Sequence, residues 1–137
     1  MVFYKKILTI SLLCSVVSIQ ASVHEVGTQT NLPDEIVQAF AGGDAKVISK
    51  YFNSSVELIF SIGGGVYGKA QAEQMLKNFF ANNDLSNKKF IYRNLHSSNK
   101  DNQQSYIGEL TTGKGSYRVN IYMKDQLIHL MRIESND

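Results

Sequence analysis

Cysteine is almost missing from this chain of 137 residues: Cys14 is the only one, and it falls inside the N-terminal apolar run 7–19. Before that run stands M-V-F-Y-K-K, and after it comes the small residue Ala21. Basic, apolar and small segments in that order are expected of a secretory signal peptide over residues 1–21. Cleavage after Ala21 would leave no cysteine, so the mature protein would have neither a disulfide nor thiol chemistry and would fold on its hydrophobic core alone. Cys14 follows Leu13 rather than a small residue, which argues against lipidation. The apolar run is short for a membrane span, so no membrane association is expected after cleavage.

An excess of charge is missing too. Lys5 and Lys6 leave with the signal, taking Lys+Arg from 14 to 12 against an Asp+Glu of 12. A neutral domain has no electrostatic footprint for nucleic acid. Histidine is scarce, and His24, His96 and His129 lack the spacing of metal ligands. No serine sits in a nucleophile elbow, and there are no repeats or low-complexity tracts. Neither a cofactor nor a metal is expected.

What the chain does have is a central stretch from Val56 to Phe80: an apolar strand V-E-L-I-F-S-I, the glycine-rich G-G-G-V-Y-G, and an amphipathic K-A-Q-A-E-Q-M-L-K-N-F-F. Gly63, Gly65 and Gly68 fit the dinucleotide fingerprint, and Gly63–Lys69 fits the phosphate loop. Both matches fail on chemistry. Ala70 stands where the phosphate loop needs a magnesium-binding hydroxyl. The acid required about twenty residues after the dinucleotide fingerprint is replaced by N-K-K-F. A hairpin whose glycines supply positive φ, with Gly68 starting the helix, is the reading that remains.

Around this centre, residues 22–31 read as a flexible leader and 32–137 as one domain. Asn31-Leu32-Pro33-Asp34-Glu35 has the composition of a helix start. Gly42-Gly43 stops that helix and Asp44 caps a second, whose apolar face is Val47, Ile48, Tyr51 and Phe52. Asn53-Ser54-Ser55 breaks it before a strand with Val56, Leu58, Phe60 and Ile62 on one face. Ala72, Met75, Leu76, Phe79 and Phe80 form a stripe on the third helix. Strands are expected near Lys88–His96 and over Gln104–Thr112, Gly115–Met123 and Leu127–Glu134.

With Gly113-Lys114 as a two-residue turn, Leu110 opposes Tyr117, Gly108 opposes Val119, Tyr106 opposes Ile121 and Glu109 opposes Arg118. A three-residue loop at Lys124–Gln126 would pair Ile121 with His129, Val119 with Met131 and Tyr117 with Ile133. That register predicts an interior face with Tyr106, Tyr117 and His129. The outer face would carry Glu109, Arg118, Arg132 and Glu134 together with Ile107, Tyr122, Ile128 and Leu130. A slip of one residue would mix the two sets.

Helices covering one face of a curved antiparallel sheet make an α+β fold, a cone. The chain here resembles the nuclear-transport-factor-2-like superfamily, also called SnoaL-like or cystatin-like. The resemblance rests on A-F-A-G-G-D-A-K-V-I-S-K-Y-F-N-S-S-V-E-L, on the glycine hairpin with G-K-A-Q-A-E-Q-M-L-K-N-F-F, and on Y-R-V-N-I-Y-M-K with L-I-H-L-M-R-I-E. It covers about Leu32 to the C-terminus and is closest to an exported bacterial branch, a domain of unknown function. It implies the fold more specifically than a function, because this fold hosts enzymes, ligand binders and dimerisation modules.

Enzymes resembling this fold place acids or a histidine inside the cone. Here Asp34, Asp44, Asp84, Asp101, Asp125 and Asp137 fall at caps, turns or the terminus. Glu57, Glu109 and Glu134 fall on the outer phase. No interior carboxylate remains to act as a base. His129 is the interior titratable candidate, either touching a ligand or bonded as a neutral core histidine. The expectation is an exported, periplasmic or secreted, non-enzymatic module. It would hold a small uncharged, largely apolar ligand near Tyr51, Tyr106, Tyr117 and His129, with Met75, Met123 and Met131 as adaptable walls. Phe40, Phe52, Phe60 and Phe79 filling the cone completely is the competing outcome. An isomerase- or dehydratase-like enzyme using His129 and Tyr106 is the alternative function. The apolar outer residues Ile107, Tyr122, Ile128 and Leu130 predict a homodimer.

Overall fold

The computed structural model describes residues 31–83, 89–98 and 101–136, with the backbone alone at 94–98. The signal peptide, most of the leader, Asp84 and the His24 and His96 side chains lie outside that description. The elements run α1 (Asp34–Gly42), α2 (Ala45–Ser49), β1 (Phe52–Phe60), β2 (Gly63–Gly68), α3 (Lys69–Asn82), β3 (Lys89–Ser98), β4 (Gln103–Thr112), β5 (Gly115–Lys124) and β6 (Leu127–Ser135). Six strands form one curved sheet in the order β2-β1-β6-β5-β4-β3. After the β1–β2 hairpin, α3 carries the chain to the opposite edge. The strands then meander back until β6 meets β1, which it joins in parallel.

Local chemistry accounts for the helix boundaries. Pro33 occupies the N-cap of α1, and its carbonyl accepts from the Ile36 and Val37 amides. Gly43 takes the left-handed conformation, φ 67°, that ends the helix without steric cost. Asp44 caps α2 by accepting from the Val47 amide at 3.1 Å. The second helix is shorter than its apolar spacing predicts. It ends at Ser49, and Phe52 already belongs to β1. Asn53-Ser54-Ser55 bulges from the ladder with β6, since pairing jumps from Phe52–Ile128 to Glu57–Leu130. Those polar residues mark an interruption of one edge of a strand rather than a break before it. Ile62, expected on the apolar face, is fully exposed in the Ser61-Ile62 turn, and the glycine stretch behind it is the edge strand β2.

The core lies between the helices and the concave face. Val56, Leu58, Leu110, Val119, Ile128 and Met131 are completely buried there, and Ile36, Phe40, Ile48, Ala72 and Leu76 come down on them from the helices. Each such Val, Leu, Ile, Phe or Met side chain contributes about 1.5–3 kcal/mol through its removal from water. Ser49, buried between α2 and α3, donates to Glu73 Oε2 at 2.7 Å and ties those helices together.

The β4–β5 register is the expected one: Leu110–Tyr117, Gly108–Val119, Tyr106–Ile121 and Glu109–Arg118. The β5–β6 register is not. Asp125 and Gln126 have φ of 51° and 64°, so a two-residue turn joins Lys124 to Leu127. A bulge then falls at His129, with Met123 opposite Ile128 but Tyr122 opposite Leu130. Beyond it, Ile121 pairs with Met131, Val119 with Ile133 and Tyr117 with Ser135. One extra residue lets Ile128 point inward together with Met131 and Ile133, although strict alternation puts Ile128 on the other face.

Candidate functional site

The bulge rearranges the expected site. Ile128 is fully buried in the core, so it does not belong to the outer face. His129 leaves the interior row. Its ring lies 6.3 Å from that of Tyr122, which faces outward between the buried Ile121 and Met123. The row expected to run Tyr106–Ile121–His129 runs Tyr106–Ile121–Met131 instead.

The four residues proposed to hold a ligand therefore do not converge. Tyr106 is 2% exposed and packs edge-on to Tyr92. Burial first, and the neighbouring Tyr92 second, push its phenol above the usual tyrosine range. The folded protein thus keeps this proton at pH values where the unfolded chain has lost it. The resulting stability is fully present below about pH 10 and is lost as pH rises through the folded value. Urea unfolding of wild type and Tyr106→Phe at pH 9 and 11 checks this: the wild type should lose more stability across that interval than the variant. Tyr51 sits on the helical side, where its hydroxyl donates to Glu35 Oε2 at 2.8 Å. That bond, followed by Lys50, holds the Glu35 carboxyl below its ordinary range.

Of the four, Tyr117 reaches an open cavity. The cavity, about 530 Å³, lies where the end of α3 overhangs the β1–β2 turn and the β4–β5 hairpin. Its walls are apolar: Phe60 and Phe79 stack at 5.5 Å, Tyr117 meets Phe79 edge-on at 5.1 Å, and Met75 and Ile133 complete the floor. Of the expected methionine walls, Met75 lines it while Met123 and Met131 are buried in the core. The phenylalanines divide likewise. Phe40 and Phe52 are buried in the core, while Phe60 and Phe79 are half-buried at the cavity.

The polar groups at the rim come from residues read in the sequence only as a helix end and a turn. The Tyr117 hydroxyl donates to Asn83 Oδ1 at 2.7 Å, and Asn83 Nδ2 donates to the Phe79 carbonyl at 2.7 Å. The Lys114 ammonium donates to the Asn82 carbonyl. Asn82-Asn83 and Gly113-Lys114 carry no spacing signal for a site, because only the tertiary fold brings the hairpin tip over the helix end. Glu57, Glu109 and Glu134 stand on the outer face, as their strand phase predicts. No histidine or carboxylate lines the cavity among the described residues, and none of these residues form a group of three or more that could hold a metal ion. No helix among them is long and apolar enough to cross a membrane.

On the outer face, Ile107, Tyr122 and Leu130 are half-buried, and Val66 and Ile91 are 70% and 57% exposed. Around them alternate Glu57, Glu109 and Glu134 with Arg93, Arg118 and Arg132.

Solved structures share this architecture. A protein of unknown function with a cystatin-like fold from Nostoc punctiforme is 15% identical, with a TM-score of 0.57, over 75% of this chain and 84% of its own. A designed nuclear-transport-factor-2-like protein is 12% identical, with a TM-score of 0.55, over 73% and 90%. At such identities the likeness shows the fold alone. A DUF4783 family protein from Bacteroides uniformis is 28% identical, with a TM-score of 0.63, over 78% of this chain and 99% of its own. No curated protein matches the chain. The family model described as "Domain of unknown function (DUF4783)" matches residues 33–135, which is most of the sequence, and the chain belongs to that family, on a nuclear-transport-factor-2-like, cystatin-like fold.

Proposed function

We propose that this protein is an exported, non-enzymatic binding module that holds a small, largely apolar molecule at the open end of its sheet. The N-terminal order of basic, apolar and small residues supports export. The cavity carries the binding reading: about 530 Å³, within the usual range for ligand sites, apolar in its walls and with a few fixed polar groups on one side. A titration of the full chain with Nile red tests it. Saturable one-to-one binding with a blue-shifted emission is expected, and Met75→Trp, which puts an indole into the cavity, should weaken it at least tenfold. Absence of saturable binding, or binding that Met75→Trp leaves unchanged, contradicts the reading.

The alternative of an isomerase- or dehydratase-like enzyme draws no support from the geometry, since Tyr106 is in the core and His129 stands beside the outward-facing Tyr122. The outer face favours a second role instead, self-association. Its apolar residues are interspersed with Glu57, Glu109 and Glu134 and with Lys89, Arg93, Arg118 and Arg132, so a copy related by a twofold axis can set opposite charges against each other. Sedimentation at tens of micromolar should show a dimer, about −6 kcal/mol of association, and Tyr122→Glu should return the monomer. A wild type that stays monomeric in that range contradicts this role.

A further inference from the structure

The end of α3 beside the cavity would ordinarily repel an anion, because the last carbonyls of a helix carry its negative pole. In this protein three of those carbonyls are occupied from within. Asn83 Nδ2 donates to the Phe79 carbonyl, the Asn83 amide to the Phe80 carbonyl, and Lys114 Nζ to the Asn82 carbonyl. Lys114 brings a full positive charge to a pole worth about half a charge, and two of its three ammonium hydrogens are left over. Among the described residues it enters no ion pair; those present are Lys50–Glu35 and Arg132–Glu134.

The position of Lys114 is built rather than incidental. Thr112, buried at 6% exposure, accepts from the Lys114 amide through Oγ1 at 3.1 Å and donates to the Gly115 carbonyl at 3.1 Å, which fixes the hairpin tip. Other rim groups add donors in the same sense. Asn78 Oδ1 accepts from Gln74, which leaves the Asn78 amide hydrogens for a ligand. The Asn83 side chain is spent on Tyr117 and Phe79. Among the described residues around the cavity, Lys114 is the side chain charged at neutral pH.

An apolar cavity whose rim offers, among the described residues, one ammonium, spare amide donors and no carboxylate fits a molecule with an apolar body and an anionic end. We infer that the ligand is a single-chain carboxylate, its hydrocarbon chain lying against Phe60, Met75 and Phe79 and its head at Lys114. This rests on the cavity being the binding site, and it replaces the uncharged ligand expected from the sequence. The fold brings a lysine to the rim from a turn.

Displacement of Nile red from the full chain by decanoate and by decan-1-ol, both below their aggregation limits, tests it. Decanoate should displace the dye at about fivefold lower concentration, the worth of one partly exposed ion pair, and the preference should shrink in high salt. Lys114→Gln should bring decanoate to the level of decan-1-ol. Lys114→Arg, which keeps the charge, should retain the preference and covers the case in which the glutamine variant folds poorly. Equal displacement by acid and alcohol in the wild type, or an undiminished preference in a folded Lys114→Gln, overturns the inference while the apolar site stands. If neither Nile red nor either compound binds, both readings fall together.

Discussion

Ile128→Ala lowers the stability of the domain by about 2–5 kcal/mol, whereas Leu130→Ala, two positions along the same strand, lowers it by about 1 kcal/mol or less. Strict alternation from Leu127 to Glu134 makes the two residues equivalent, both on the outer face. The bulge at His129 separates them. Ile128 is completely enclosed opposite Met123, while Leu130 is half-buried beside Tyr122. Truncating Ile128 leaves a cavity in a packed core, while truncating Leu130 removes methyl groups that water already reaches. Urea denaturation of the two variants measures the difference. Equal losses would mean that no bulge exists and that His129 faces the interior.

Phe40→Ala costs about 3–5 kcal/mol, a large part of the 5–15 kcal/mol that holds a typical domain together. Phe40 is fully buried on α1, stacked on Phe90 of β3 at 4.5 Å and edge-on to Phe80 of α3 at 6.1 Å. It thus joins the first helix both to the far edge of the sheet and to the long helix. Phe90 has no room to follow a lost neighbour in one direction, since its ring lies over Gly108, where even a Cβ would approach it to 2.5 Å. Phe60→Ala offers the contrast. Phe60 is half-buried at the cavity, so its removal should cost less stability and should weaken dye binding more. Thermal melts with the Nile red titration on both variants separate the packed core from the cavity.

Core and cavity were unequally legible. The α3 stripe, the Asp44 cap, the Gly43 stop and the β4–β5 register follow from short-range patterns, because helix periodicity, capping and a two-residue turn act over a few residues. The β5–β6 register depends on whether Asp125 and Gln126 both adopt positive φ and on a single extra residue at His129, neither of which has a strong local signal. That one residue moved Ile128 inward and His129 outward, which took one member from each expected site. The parallel β1–β6 pairing and the placing of Lys114 over Asn82 are long-range consequences of the meander. Composition at either position says nothing of them. Tyr117 remained on the cavity because its position depends on the β4–β5 turn, which the sequence does specify.

The most direct test of a ligand site at the open end of the cone is a methyl spectrum of ¹³C-labelled isoleucine and methionine recorded while decanoate is added. The structure predicts that Ile62 and Met75, at the cavity, shift and saturate together, while Met123 in the core and Ile107 on the outer face stay in place. Saturating shifts at Ile107 with Met75 unmoved, or no shift anywhere, would contradict it.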